Sequence, residues 1–522
     1  MSIDRSSCSL PRSREVEAAS VAATAAGRGR GVPVWVLPVL WTVALGSWGL
    51  SRQGSVWRDE AATWQVARRS SAEICHMLQN VDVVHGSYYL LMHMLFECFG
   101  AGTTTLRLPS VLAMAVAAGC VAVIGRRLAG AWAGLAGGLA FGMLPAVQFY
   151  LQEGRPYALV AAGAGISTLL LVAVLQGRAP GPRRAVLRWV GYGVTVVLMG
   201  LLNWLSLMIL AAHLATLLWC GARREVWLRW AAVSVTAFVC VLPLIVFSRG
   251  QAAQVSWIPP LTWHMMIGPA VLLAIGGIGA LLDRPRSRRL SVAAVGLPLL
   301  AVPQLGLLTA SLVQPLFLDR YVLYSLLGLA LLIGAGVGAA VQAVGHRNAV
   351  AAKWVLPVVV AVAMAGLLPQ SLAKRSVASR VDDVLAIASD VQRTKQAGNA
   401  VLFLPSTRRD AKSVSPEAFA GLREIALLES PVESGTLKGV EASPERIRAA
   451  MLRQKRILLL ADTPAVARPV KGERDRMKTA VLRTHFRAVS DVEVRGRRLT
   501  VYERIERTGG AQGVPAKSRL PR

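Results

Sequence analysis

Asp59 and Glu60 stand side by side in "VWRDEAATWQVARR" (residues 56–69), between arginines and tryptophans and a few residues beyond a long apolar run. Similar groups recur in "DVVHGSYY" with Asp82 and His85, in "YLQEGRPYA" with Glu153 and Arg155, in "QVSWIPP" with Trp257, and in "LDRYVLY" with Asp319, Arg320 and Tyr321. A positioned carboxylate can take the proton of an acceptor hydroxyl as general base. Guanidinium groups can neutralise the charge that develops on a departing phosphate. Tryptophan and tyrosine faces hold sugar rings and also sit well where water meets lipid. These residue types suit transfer of a sugar from a lipid phosphate, provided that the chain brings them to one place.

The chain that must do so is apolar. Of its 522 residues 54% are hydrophobic and 17% charged, and the mean hydropathy is +0.48, too greasy for a set of soluble domains. A spanning helix needs about 20 apolar residues. Runs such as "VPVWVLPVLWTVALGSWGL" from Val32 and "LSVAAVGLPLLAVPQLGLLTASLV" from Leu290 reach that length, so a polytopic helical membrane protein is expected. The 58 Lys+Arg against 29 Asp+Glu flank apolar spans in the manner of cytoplasmic loops. No basic strip with interleaved aromatics accompanies them, which excludes nucleic acid as a partner.

Placing the basic clusters inside fixes the path. Arg28/Arg30, Arg126/Arg127, Arg178 to Arg188, Arg223/Arg224/Arg229, "DRPRSRR" (283–289) and Arg347/Lys353 become cytoplasmic, and each successive pair of clusters encloses two spans. About 11 spans follow, near 33–51, 107–125, 131–150, 157–176, 186–202, 205–220, 228–247, 264–282, 290–312, 321–343 and 354–373. "NWLS" at Asn203 to Ser206 serves as an outside turn. Residues 52–106 form a long first exterior loop, within which "YYLLMHMLFECFG" (88–100) is too short to cross and reads as an interfacial amphipathic helix. The expected domains are a disordered cytoplasmic tail (1–31), a membrane domain (32–373), an exterior α/β domain (374–507) and a disordered tail (508–522). In the α/β domain, "AVLFLP" (400–405), "RILLLAD" (456–462) and "VEVRGRRLTVYER" (492–504) are strand-like, and residues near 381–396 and 472–485 helix-like.

Negative readings narrow the chemistry further. The six cysteines form no CxxC pair, so neither a zinc site nor a redox motif is indicated, and Cys75 and Cys98 in the first exterior loop leave a disulfide open. There is no P-loop. The glycines of "AIGGIGALL", of "IGAGVGAAV" and of the ladder Gly130/Gly134/Gly138/Gly142 lie inside spans, where small residues serve close helix packing.

The acid pair in a long first exterior loop, "DVVHGSYYLLMHMLFECFG" followed by "RLPSVLA", then "QEGRPYAL" and "DRYVLYSLLGLALL", resembles the GT-C superfamily of membrane glycosyltransferases. The nearest branch is the actinobacterial mannosyltransferase-like proteins, related to protein O-mannosyltransferases and the lipid A aminoarabinose transferase. The likeness covers about residues 33 to 343, and order and spacing carry it more than any single motif. It implies an integral enzyme of the plasma membrane and cell envelope that moves a hexose, mannose first among candidates, with inversion, from a polyprenyl phosphate to a glycan, protein or lipid acceptor on the outer face. On that resemblance Asp59 is the general base with Glu60 its acidic partner, and Arg155 and Arg320 meet the donor phosphate. Asp82 and His85 support the acceptor or a divalent cation, magnesium or manganese, that only some relatives use. Trp57, Tyr88, Tyr157 and Trp257 are candidate sugar contacts.

Each assignment has a plainer counterpart. Asp59 and Glu60 can balance Arg58, Arg68 and Arg69 on a solvated loop, Arg155 and Arg320 can be snorkelling anchors, and the tyrosines can be belt residues. His213, inside a span, reads as a satisfied core residue. A flippase or transporter of a lipid-linked sugar is the main rival function, yet carriers need ionisable groups near mid-membrane and repeated halves, and neither is present. A non-catalytic scaffold binding cell-wall polymer is the second rival.

Overall fold

The apolar runs fold as helices in a computed structural model, which describes residues 32–50, 54–177, 181–251, 258–283, 290–469 and 472–505. Trp257 and both expected tails lie outside the described residues. Helix α1 (Val36–Ser47) is followed by three short helices, α2 (Arg58–Ala67), α3 (Ser71–Asn80) and α4 (Gly86–Phe99). The bundle continues with α5 (Thr103–Ala129), α6 (Ala131–Met143), α7 (Pro145–Tyr150), α8 (Tyr157–Leu175), α9 (Pro182–Leu202) and α10 (Met208–Cys220). It closes with α11 (Arg224–Arg249), α12 (Trp263–Leu282), α13 (Val292–Ala310), α14 (Leu326–Gly345) and α15 (Ala349–Arg375).

Among the described residues eight helices are long and apolar enough to cross a membrane, and α1, α6 and α10 are shorter apolar helices, so every expected span has its helix. Several ends shift by a few residues, and two differences bear on the site. The run 131–150 breaks at Leu144, whose ψ of 132° is the extended backbone favoured before a proline, and Pro145 opens α7. Helix α5 starts four residues before the expected span and so carries Arg107 inside it. The segment expected as the first exterior loop is accordingly helical for most of its described length, and Asp59 sits in the first turn of α2 instead of a loop.

Glycine governs the centre of the bundle. A Cβ on Gly125 would lie 2.8 Å from the Cα of Gly134, one on Gly137 2.9 Å from the carbonyl of Ala330, and one on Gly338 2.8 Å from Ala133 Cβ. Helix α6 therefore packs backbone to backbone between α5 and α14. Helices α11, α12 and α15 are mostly unburied, as lipid-facing helices are. His213 is satisfied within the bundle, its ring nitrogens 3.0 Å from Thr168 Oγ1 and 2.9 Å from Tyr192 OH.

Beyond α15 the chain forms an α/β domain. Its strands are β1 (Ala400–Leu404), β2 (Arg423–Glu424), β3 (Leu427–Glu429), β4 (Val440–Glu441), β5 (Arg456–Asp462), β6 (Phe486–Val494) and β7 (Arg497–Arg504). Five of them make a sheet in the order β2-β1-β5-β7-β6, parallel from β2 to β5 and antiparallel thereafter. The expected single strand 492–504 is a hairpin instead, because Arg495 and Gly496 both take positive φ and turn the chain in two residues. Helices α16 (Val384–Thr394), α17 (Asp410–Val414), α18 (Pro444–Leu452) and α19 (Glu473–His485) cover the sheet. One of its two cores takes in Val56 and Ala61, so α2 packs as part of this domain although it lies more than 300 residues away in sequence.

The glycine contacts set a test. Gly137→Val should lower stability by about 1–3 kcal/mol through overpacking, whereas Gly366→Ala, where a Cβ meets nothing within 4 Å, should leave the melting temperature of the purified protein in detergent unchanged.

Candidate functional site

Four segments distant in sequence meet at the end of the bundle that carries the α/β domain: α2, the turn before α4, the turn 151–156 between α7 and α8, and the 3-10 turn Asp319–Ser325 that leads into α14. Their anchor is a buried ion pair. Arg107 donates from Nε to Glu60 Oε1 at 2.8 Å, and from Nη2 to Glu60 Oε2 at 2.6 Å and to the carbonyl of Ser55 at 2.7 Å. Glu60 also accepts from the backbone N–H of Gly154 at 2.9 Å, and Thr63 Oγ1 donates to the Gly154 carbonyl at 3.0 Å. Burial alone would raise the Glu60 carboxyl, but the Arg107 guanidinium, with Arg380 and the Gly154 N–H, outweighs it and holds the group below the usual range. Glu60 is thereby fully occupied in tying α2, α5 and the 151–156 turn together.

Asp59, one residue earlier, faces differently. Its Oδ2 accepts from Arg320 Nη1 at 2.8 Å, and its side chain keeps about a fifth of its surface open to solvent. Arg320 lies 5.8 Å from the ring centre of Tyr157 and 5.7 Å from that of Tyr321, and Tyr150 packs edge-on to Tyr157. Asp319 Oδ1 accepts from the Arg320 backbone N–H at 2.8 Å and from Tyr150 OH at 3.3 Å.

Asp82 is held in the left-handed region, φ 62°, a conformation that aspartate tolerates better than most residues. This turns its carboxylate to His85 Nδ1, 2.7 Å away, and to the hydroxyl of Tyr89. Gln251, beyond α11, pins the turn by accepting from the Val83 N–H at 2.9 Å and donating to the Leu78 carbonyl at 3.0 Å. Burial would raise the Asp82 carboxyl, and His85 and Arg155 more than reverse it. Arg155 lies within the electrostatic reach of both Asp59 and Asp82, and its Nε and Nη1 are buried without a hydrogen-bond partner.

Further buried polar atoms without a hydrogen-bond partner gather here: both Glu153 oxygens, Tyr88 OH, Trp57 Nε1 and Arg380 Nη1. Native interiors rarely leave such groups unsatisfied, and a cluster of them marks a place built for something else to bind. Glu153 is only 1% exposed. Burial, and then the charges of Asp59 and Glu60, push its carboxyl up to about 7 although Arg380 and Arg320 pull the other way.

Asp59, Glu60, Asp82, His85, Arg155, Arg320, Trp57, Tyr88 and Tyr157 thus share one neighbourhood. Tyr88 and Tyr157 are buried in it and do not serve as an exposed belt. Cys75 and Cys98 are both free and exposed. Among the described residues no three His, Cys, Asp or Glu side chains converge on a point. Asp59 is paired with Arg320, and Asp82 with His85 and Tyr89. Sequence reasoning grouped Glu153 with the recurring charges without a specific role, read Tyr89 as a belt residue, and gave no role to Arg107 and Arg380. An arginine inside an apolar run was a readable signal for Arg107, since such a charge needs a partner. Arg380, in "SVASRVDD", carries no local sign.

The apolar helices in this order, the helical segment between the first two and the α/β domain over the site make up a fold that this chain shares with solved structures. The ArnT protein of Cupriavidus metallidurans, solved bound to undecaprenyl phosphate and in the apo state, aligns over 91% of this chain and 99% of its own. The TM-score is 0.56 in both states, at 14% and 15% identity. The archaeal oligosaccharyltransferase AglB of Archaeoglobus fulgidus, in complex with an inhibitory peptide and a dolichol-phosphate, aligns over 82% of this chain and 69% of its own, with TM-score 0.51 at 12% identity. No family model and no curated protein matches the sequence.

Two measurements check this electrostatics. Glu60→Ala strands the Arg107 charge and should cost about 3–5 kcal/mol in denaturation, and pairing it with Arg107→Met should recover part of that loss. Glu153 titrates with the opposite sign to an ordinary ion-paired acid. Between the usual carboxyl value of 4.5 and about 7 the folded protein keeps a proton that the unfolded chain releases, so stability falls as pH rises through that window. Glu153→Gln removes the fall, so its stability relative to the native chain should rise between pH 5 and pH 8, by up to about 3 kcal/mol.

Proposed function

We propose that the protein is an integral membrane glycosyltransferase that takes a sugar from a polyprenyl-phosphate carrier and transfers it to an acceptor at the outer face of the membrane. The observation that carries this reading is the convergence of Asp59, Arg320 and Arg155 with a group of buried polar atoms that lack partners. The fold neighbours support the donor class, since one is solved with undecaprenyl phosphate and another with dolichol-phosphate. The outward orientation is supported by Arg126 and Arg127, which lie at the far end of α5 from Arg107, since basic residues at span ends favour the cytoplasmic side.

In this reading Asp59 takes the proton of the acceptor hydroxyl as that oxygen attacks the anomeric carbon on the face opposite the phosphate. The anomeric C–O bond breaks with inversion, and the carrier phosphate leaves with the electron pair. Arg155, with two N–H groups free to donate, and Arg320 stabilise that phosphate. Arg320 cannot hold Asp59 and the phosphate equally, so donor binding draws it from the aspartate and leaves Asp59 available as base. Glu60 holds α2 in place, and Asp82 with His85 borders the acceptor side. Trp57, Tyr88 and Tyr157 line the space for the sugar, a hexose with mannose the first to try.

Membranes containing the protein, incubated with radiolabelled polyprenyl-phosphate-mannose and other polyprenyl-phosphate sugars, should yield labelled product. Asp59→Asn should reduce it at least about 1,000-fold without loss of folded protein, and Arg155→Ala about 100-fold or more. Native transfer by Asp59→Asn would reject the base, and absence of product from every donor would reject the class.

A further inference from the structure

Helix α2 carries Asp59 at its second position but has no cap of its own, since Trp57 at the N-cap offers no side-chain acceptor. The first N–H groups of a helix need such a partner. Here it comes from 324 residues away: Asp382 Oδ1 accepts from the Arg58 backbone N–H at 3.0 Å, and Oδ2 accepts from Arg58 Nε at 3.0 Å. A carboxylate at this end of a helix also meets the positive end of the helix dipole. The Val384 N–H donates to the carbonyl of Val56 at 2.7 Å, so the approach to α2 is pinned by the same segment.

Asp382 is itself rigidly held. Its side chain is fully buried and accepts from Arg497 Nε, 3.0 Å away at the start of β7. Arg497 in turn forms a two-point pair with Asp410 at 3.0 and 2.7 Å. Two residues before Asp382, Arg380 grips the other wall of the site. Its Nη2 donates to the carbonyls of Phe149 at 3.1 Å and Gln152 at 2.9 Å, and its guanidinium stacks 3.6 Å from the Phe149 ring centre. The first carbonyl lies at the end of α7 and the second in the turn that delivers Glu153, Gly154 and Arg155.

We infer that Arg380 and Asp382, in the junction between the last membrane helix and the α/β domain, are positioning residues that set Asp59 and Glu153 against each other, so that the α/β domain completes the transfer site. The inference rests on the reading of that site as a glycosyl-transfer centre. Its geometric part, the coupling of the junction to Glu153, is measurable without any substrate. Glu153 is faced by Arg380, Asp59, Glu60 and Arg320, and also by Arg107, Tyr88 and Tyr150. Among these, Arg380 is the only charge that the junction contributes.

The test uses the full chain in nanodiscs, native and with Asp382→Asn, Arg380→Gln and Arg380→Lys. Asp382→Asn should lower kcat at least about tenfold with donor KM within about twofold of native, since misplacement of a base costs turnover more than binding. In infrared titration, the protonated-carboxyl band that Glu153→Gln removes should disappear at a pH about one unit higher in Arg380→Gln, and Arg380→Lys, which keeps the charge, should return it towards native. Should Asp382→Asn fail to fold, the two Arg380 variants decide. Native kcat in folded Asp382→Asn, a loss confined to KM, or an unmoved band in Arg380→Gln overturns the inference. Native protein that transfers nothing from any donor overturns the glycosyltransferase reading instead, and the infrared shift still decides whether the junction is coupled to the site.

Discussion

Arg107 lies inside an apolar helix with 1% of its surface exposed, and the carboxylate of Glu60 makes that position tolerable. An isolated charge there would cost many kilocalories per mole, and pairing alone repays the loss poorly unless the remaining hydrogen-bonding sites are filled. They are filled by Ser55 and Gly154, the one just before α2 and the other in the turn that opens α8. One desolvated pair therefore brings three segments to a common point, and every other feature of the site is measured from it. Neutral residues of the same size would pack there, but nothing would then fix α2 against α5 and the 151–156 turn in a single register.

Three acids within this small region exist in three electrostatic conditions. Glu60 has its oxygens saturated by donors and stays ionised. Asp59 has one strong partner, Arg320, and access to water. Glu153 is enclosed with no hydrogen bond and is driven towards the neutral form. The cause is placement: the same functional group at the N-terminus of a helix, on its inward face and on a buried turn meets different numbers of donors and different dielectric surroundings. A site that must hold an anionic carrier and handle a proton gains from such a spread, because the groups need not compete for one role.

The division between membrane and α/β parts is clear in composition and absent in packing. Val56 and Ala61 belong to the core beneath the sheet, Asp382 caps α2, and Arg380 reaches back to the turn beside Phe149. The solved neighbours align over 82–91% of this chain at only 12–15% identity, so the fold is shared where most of the sequence is not. What persists is the geometric problem: holding a water-facing site against the end of a bundle requires contacts from both sides of the boundary.

Hydrophobic patterning by itself determined the membrane class, the number of apolar helices, their approximate limits and the strands Ala400–Leu404 and Arg456–Asp462, since these depend on local runs and on the 2.0 and 3.6 periodicities. It also picked out Asp59, Asp82, Arg155 and Arg320, because charged residues at the ends of apolar runs are conspicuous. Breaks and reversals were harder: Leu144 yields to Pro145, and the pair Arg495 and Gly496 folds one apparent strand into a hairpin. Only the tertiary structure decided that Glu60 is consumed by Arg107, that Asp59 meets Arg320, that Glu153 is enclosed, and that Arg380 and Asp382 reach the site. Those outcomes depend on desolvation and on partners tens to hundreds of residues away, and neither quantity is a property of any local stretch of chain.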